Sequence, residues 1–224
     1  ARMRRAVNAA LDRPALAARV PIPLGAPGRP TDQVIPPGVP GFRDVTVHPL
    51  GGPDLALARR LAGGARHRRA VLVTCNLPGC IEHGRVAKRN LAAIGIDLIV
   101  KNLNLDEMFE RLHDPGAAWD LGYFNYYIDF ADPANFVNVY RSGDEANIGG
   151  FRDRDLQRRI AAAARLTGAD RLRTYAELDA DLARAAASAP FATGASTDFF
   201  AARIGCQVQQ PIYGISLGAL CVRG

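Results

Sequence analysis

An α/β layer is the fold class the sequence predicts. Short apolar runs at 70–74, 96–101 and 119–128 read as strands, and amphipathic runs at 81–94 and 105–112 read as helices between them. That β-α-β-α-β order implies a mixed sheet flanked by helices and joined by right-handed crossovers. The chain has 224 residues, 48% hydrophobic and 22% charged, which is a globular composition with enough length for one sizeable core.

Each element has its own signal. Residues 3–16 carry helical periodicity, with Val7, Ala10 and Leu11 on one stripe, and Asp12-Arg13-Pro14 breaks and restarts the helix. Residues 20–53 are dominated by Pro and Gly and fit no periodic element, so they read as a long loop. Pro53 opens a helix at its first position, Leu55, Ala58, Leu61 and Ala62 turn inward, and Gly63-Gly64 stops it. In the helix at 81–94, Val86, Leu91 and Ile94 share a face and Gly95 ends it. Asp106 and Glu107 lie in the first turn of the helix at 105–112, where the macrodipole favours acids. Two Ala/Arg-rich helices, 155–166 and 170–187, meet at Thr167-Gly168 and stop before Pro190. The tail has strand-like pieces at 199–204 and 207–213.

Charge is unevenly spread. The net +6 divides into +8 over residues 1–69 (12 Arg against 4 Asp), −5 over 70–150 (6 Lys and Arg against 11 Asp and Glu) and +3 over 151–224 (10 Arg against 7 acids). Basic residues and aromatics are therefore separated, which argues against nucleic acid as a partner. The N-terminal arginines read as a solvated face. No apolar run approaches the ~20 residues of a membrane helix. Ala1-Arg2-Met3-Arg4-Arg5 leads into the first helix with no apolar signal core. HExxH and G-x-G-x-x-G are missing, and neither a catalytic residue nor a cofactor is expected.

Cys75, Cys80, Cys206 and Cys221 form two local groups. There is no CxxC, and of the four histidines only His83 is near a pair, so no metal site is expected. Two disulfides and four buried thiols are both open readings. Residues 76–79 can turn the chain back to bring Cys75 to Cys80. Cys206 and Cys221 bracket a potential hairpin through 211–214.

The functional signal lies in 119–140, WDLGYFNYYIDFADPANFVNVY. Strand alternation puts Leu121, Tyr123, Asn125 and Tyr127 on one face and Phe124, Tyr126 and Ile128 on the other. Pro133 ends any ladder and holds Asp132 extended. Tyr126, Tyr127 and Asp129 thereby reach the C-terminal end of a strand, the edge where open α/β sheets bind ligands. Rings beside carboxylates suit an organic ligand that carries an amine. Asp129 has a second reading, as a cap for the turn that follows. Asp132 reads as the cap of a short helix at 134–137. As an acid/base pair the two aspartates lack a neighbouring His or Lys. Tyr123, Phe124 and Tyr127 have a second reading as core residues.

Several segments, in this order, resemble family 5 extracytoplasmic solute-binding proteins, the oligopeptide-, dipeptide- and nickel-binding components of ABC importers. They are MRRAVNAALDRPAL with the proline-rich loop after it, PDLALARRLAGG, RVAKRNLAAIGIDLIVKNLNLDEMFERL, IDFADPANF, FRDRDLQRRIAAA and SAPFATGAS. The resemblance covers nearly the whole chain but only the C-terminal part of such a protein, whose members are more than twice as long. It implies an incomplete, periplasmic-binding-protein-like (class II) lobe, with 1–188 as lobe II and 189–224 as a hinge strand and return segment into lobe I. It also implies that Asp129 holds the α-amino group of a peptide-like ligand and that Tyr126 lines the pocket. Asn125, Tyr127 and Phe130 complete the expected site. The implied partners are a small solute and transporter permease subunits. The implied location is outside the cytoplasmic membrane, with membrane association only through an N-terminal anchor. The same lobe occurs fused to DNA-binding modules in some proteins, so a ligand-sensing domain of a transcriptional regulator is the alternative. No helix-turn-helix with basic recognition side chains is present in these residues.

Overall fold

The computed structural model describes residues 1–19, 28–64, 68–194, 198–210 and 214–224. Helix α1 (Arg2–Ala10) buries Ala6, Val7, Ala9 and Ala10. These small side chains let it pack closely on α3 (Leu55–Ala62), which buries Ala58 and Ala62. Between them, α2 (Arg13–Ala17) restarts the helix where Asp12 accepts a hydrogen bond from Ala15 N at 3.0 Å. The expected opening of α3 at Pro53 shifts by two residues, to Leu55. Asp54 is the cap and accepts Leu57 N at 2.8 Å, because a carboxylate can satisfy an orphan amide and a proline ring cannot.

The expected loop at 20–53 contains one paired piece among its described residues. Strand β1 (Arg29–Pro30) runs antiparallel to β5 (Ala192–Thr193). The rest is fixed by side chains. Asp32 accepts Val47 N and His48 N, both at 2.6 Å, and Gln33 spans Arg43 O and Val45 N.

The central sheet has the order β3-β2-β4 with all strands parallel. Strand β2 (Arg68–Cys75) pairs with β3 (Ile96–Leu103) along its full length, from Arg68 opposite Ile96 to Cys75 opposite Leu103. The crossovers are α4 (Pro78–Ala92) and α5 (Leu105–His113). Leu72, Leu91, Ile94, Ile96 and Leu98 join the α1–α3 pair in one core. Two glycines allow close approach. A Cβ on Gly84 of α4 would lie 2.8 Å from Val100 Cγ1, and one on Gly122 would lie 2.6 Å from Leu112 Cδ2 of α5.

The third strand is much shorter than the predicted 119–128. Only β4 (Leu121–Gly122) pairs, with Leu72 and Val73. Asp120 N to Val71 O and Tyr123 N to Val73 O extend the contact by one bond each way. Beyond Val73 only two residues of β2 remain. Asn76 N then bonds Leu103 O, on the β3 side, before α4 begins. Residues 124–128 thus have no neighbouring backbone to pair with, and their alternation reflects alternating side-chain contacts. Tyr123 packs with Val73, Met108 and Leu112, while Tyr126 and Ile128 pack against a second core.

That second core is built from α6 (Ala134–Val137), α7 (Arg154–Ala163) and α8 (Gly168–Arg184), with Ile35, Phe136, Val137, Ile160, Tyr175, Leu178 and Leu182 fully or almost fully buried. Both cysteine pairs are bonded, each with Cα atoms 5.4 Å apart. The predicted strands of the tail are reduced to two-residue ladders, β6 (Ile204–Gly205) with β9 (Cys221–Val222) and β7 (Gln209–Gln210) with β8 (Gly214–Ile215). The turn expected at 211–213 lies outside the described residues.

Candidate functional site

Asp129 lies seven residues beyond the end of β4 rather than at the C-terminal end of a strand as expected, and the unpaired segment before it leads to a carboxylate framed by rings. Asp129 is exposed, and its Oδ2 accepts one hydrogen bond, from Tyr126 OH at 3.3 Å. The tyrosine phenol is pushed up in pKa, first by partial burial and then by the adjacent Asp129 charge. Capping of the following turn falls to other residues. Asn135 Oδ1 accepts both Asp129 N at 2.9 Å and Phe130 N at 3.1 Å. Asp132 Oδ1 accepts Ala134 N at 2.8 Å, at the start of the α6 helix expected over 134–137. The Asp129 side chain is therefore aimed outward with its accepting capacity nearly unused.

Asp132 is committed differently. Arg171 grips it through Nε at 3.0 Å and Nη2 at 2.7 Å, and this bidentate bond holds its pKa below the usual carboxylate range. The two neighbouring aspartates thus occupy separate environments, one free at the surface and one tied to α8.

The other expected residues lie alongside. Asn125 Nδ2 donates to Tyr127 OH at 3.0 Å. Tyr127 is 75% exposed and Phe130 48%, so neither is a core residue. Phe124, also partly exposed, stands in a row of rings. Its centroid is 6.4 Å from Phe109 on α5 and 6.1 Å from Tyr126, which in turn meets Phe136 edge-on at 5.8 Å. Sequence reading missed Phe109, which lies on a helix fifteen residues before Phe124, and it missed Asn135 as the group that shapes the Asp129–Phe130 turn. Tyr123 turns inward, stacked on the buried His83 ring at 5.4 Å, and burial raises its pKa. His83 itself donates from Nε2 to Leu16 O, 3.1 Å away.

The face is an open wall. A shallow cavity of about 460 Å³ lies beside it on α5, lined by Leu103, Glu107, Glu110, Arg111 and Asp114, and none of the five expected residues borders it. An exposed edge with a single wall encloses no volume, so the side-chain geometry of 124–135 is the better guide to a binding surface.

No protein-family model and no curated protein sequence matches the chain. Solved structures do. The chain is similar in fold to clavulanic acid biosynthesis oligopeptide binding protein 2, with a TM-score of 0.87 at 21% identity over 100% of this chain and 44% of that one. It is similar to HbpA2 from Haemophilus parasuis, with a TM-score of 0.80 at 18% identity over 99% of this chain and 45% of that one. The ABC transporter substrate binding protein CtaP from Listeria monocytogenes gives 0.80 at 20% identity over 100% and 47%. The chain thus shares the α/β fold of a part of these proteins and spans less than half the length of each of the three structures.

Proposed function

We propose that this chain forms one wall of a solute-binding cleft that captures peptides or similar amine-bearing solutes outside the cytoplasmic membrane for an ABC importer. One observation carries the reading: the Asp129 carboxylate is exposed beyond the end of β4 and bonded, among the described residues, only to Tyr126 OH, with Tyr127, Phe130 and Phe124 exposed around it. An ammonium group has the complementary charge and donors. The rings supply the apolar surface that a peptide's first residue needs. Asp129 pairs with the amine, Tyr126 packs on the first residue, and Asn125, Tyr127 and Phe130 border them. The name of one similar structure, an oligopeptide binding protein, supports the same ligand class, and that of another, an ABC transporter substrate binding protein, supports the importer role. In this reading residues 1–188 are the lobe and 189–224 the hinge and return segment. Permease subunits are the downstream partner.

The site acts by binding. Asp132 is tied down by Arg171, so the pair lacks the mobile second carboxyl of an acid/base mechanism. Calorimetry on the full-length protein with free and N-acetylated peptides tests the assignment. Acetylation and Asp129→Asn are each expected to weaken binding by roughly 2–5 kcal/mol, the cost of leaving one partner of a desolvated charge pair alone. Tyr126→Ala acts less strongly and on both peptides alike. Equal affinity for both peptides, or parental affinity in Asp129→Asn, refutes the role of Asp129.

A further inference from the structure

We propose that the pole of the molecule opposite the candidate site is a docking surface for an anionic phospholipid bilayer. The parallel strands define two poles. Their C-terminal ends lead to Tyr123 and the aromatic wall, and their N-terminal ends begin at Arg68 and Ile96. At this second pole the chain gathers arginines from three elements. Arg59 of α3 donates to Ala93 O at 3.0 Å, at the C-terminus of α4. Arg68 N reaches Gly95 O at 3.3 Å, in the turn just after it. Arg2 of α1 donates to Arg60 O at 2.9 Å, and its guanidinium lies against Gly63 at the end of α3. Arg2, Arg59, Arg60 and Arg68 therefore gather on the α1–α3 side of this pole, Arg69 follows on the other face of β2, and all five are exposed. Among the described residues none of the five makes an ion pair. The acid beside them is Asp97, which faces Arg69 in the ladder.

The bonds to helix-terminal carbonyls hold Arg2 and Arg59 in place while leaving most of each guanidinium fork free. That is the geometry a phosphate oxygen pair accepts. What the surface lacks selects the partner. None of the large exposed apolar side chains belongs to α1, α3 or the opening residues of β2. Protein interfaces are centred on buried aromatic or aliphatic anchors, and single-stranded nucleic acid stacks its bases on rings. A bare field of cations matches a laterally mobile sheet of phosphate headgroups, which adjust to the protein and need no anchor. Docked by this pole, the molecule holds its aromatic wall facing away from the bilayer. The proposal rests on charge geometry and stands apart from the ligand assigned to Asp129.

The test is co-sedimentation of the full chain with vesicles of phosphatidylglycerol and phosphatidylcholine, against vesicles of phosphatidylcholine alone, between low and physiological salt. Binding is expected with the anionic vesicles only and weakens as salt rises. The side chains of Arg60, Arg68 and Arg69 make no hydrogen bond in the described structure, so Arg60→Gln/Arg68→Gln/Arg69→Gln removes charge and leaves the helix-end bonds intact. A surface cation contributes roughly five-fold to vesicle affinity, so this variant is expected to lose roughly 100-fold. Arg152→Gln/Arg154→Gln/Arg165→Gln removes the same charge from exposed positions on other elements and is expected to bind nearly as the parent. Equal losses in the two variants reduce the effect to net charge and overturn the assignment. So does binding to pure phosphatidylcholine, or binding to duplex DNA as tight as to the anionic vesicles.

Discussion

The Asp179 carboxylate accepts Val34 N, Ile35 N and Gln33 Nε2, bonds that all favour its charged form, yet burial pushes its pKa up from 3.8 to about 6. An acid whose pKa is raised by folding favours the native state while it is protonated in both states, and that advantage disappears as pH climbs from about 4 through 6. The shift corresponds to roughly 3 kcal/mol. Urea unfolding at pH 4 and pH 7 should therefore show the parent's margin over Asp179→Asn shrinking by about that amount at the higher pH; a constant or widening margin contradicts this. The contact of Asp132 with the start of α6 was legible from sequence because Ala134 is its neighbour in the chain, whereas its partner Arg171, 39 residues on, was not. Arg13 and Asp179 were illegible. Arg13 is fully buried, with its pKa lowered by desolvation to about 10, and it donates to Asn8 O, Thr31 O, Pro49 O and Pro190 O. Partners 18, 36 and 177 residues away leave no trace in a local pattern.

Helices and the two long strands were legible because hydrophobic periodicity reports burial on one face, which α4, β3 and α5 show over their lengths. The strand at 119–128 was misread because the same alternation arises when a single extended chain runs between two cores, and only a neighbouring backbone makes it a ladder. Whether Gly84 is a loosely tolerated helix residue or a packing requirement is also an element-scale matter. Alanine gains about 1 kcal/mol of helix propensity over glycine. Its methyl would meet the stiff Val100 side chain at 2.8 Å, and overpacking of that kind costs about 1–3 kcal/mol. Gly84→Ala is thus expected to be destabilising on balance. In combination with Val100→Ala the two changes should cost less than the sum of the singles in thermal or urea unfolding, because the smaller residue clears the collision. Additive costs would show that the backbone, not Val100, absorbs the methyl.

At the scale of the whole molecule the two disulfides sit in unlike settings. Cys75 and Cys80 are buried within the cluster of Val73, Met108 and Leu112. Cys206 and Cys221 close a tail whose described strands form two separate two-stranded ladders, with Phe199 at 70%, Leu217 at 77% and Val222 at 72% exposure. With little apolar burial of its own, the tail depends on the crosslink, and closing a loop of about fifteen residues supplies roughly 3 kcal/mol in the chain-entropy description. Cys206→Ser/Cys221→Ser should accelerate tryptic cleavage at Arg203 while leaving amide-exchange protection in β2 and β3 unchanged. Loss of protection in the sheet would mean that tail and core unfold together.

The buried Arg13 guanidinium sets an order of events for a chain that emerges from its N-terminus. Asn8, Thr31 and Pro49 are available early, but Pro190 O, 2.9 Å from Nε, arrives only after 177 further residues. Until then Nε has Thr31 O, at 3.1 Å, as its acceptor, and the side of the guanidinium that Pro190 covers stays open to water. The enclosure of Arg13 is consequently the last part of this core to be completed, when residue 190 comes back against a side chain near the start of the chain.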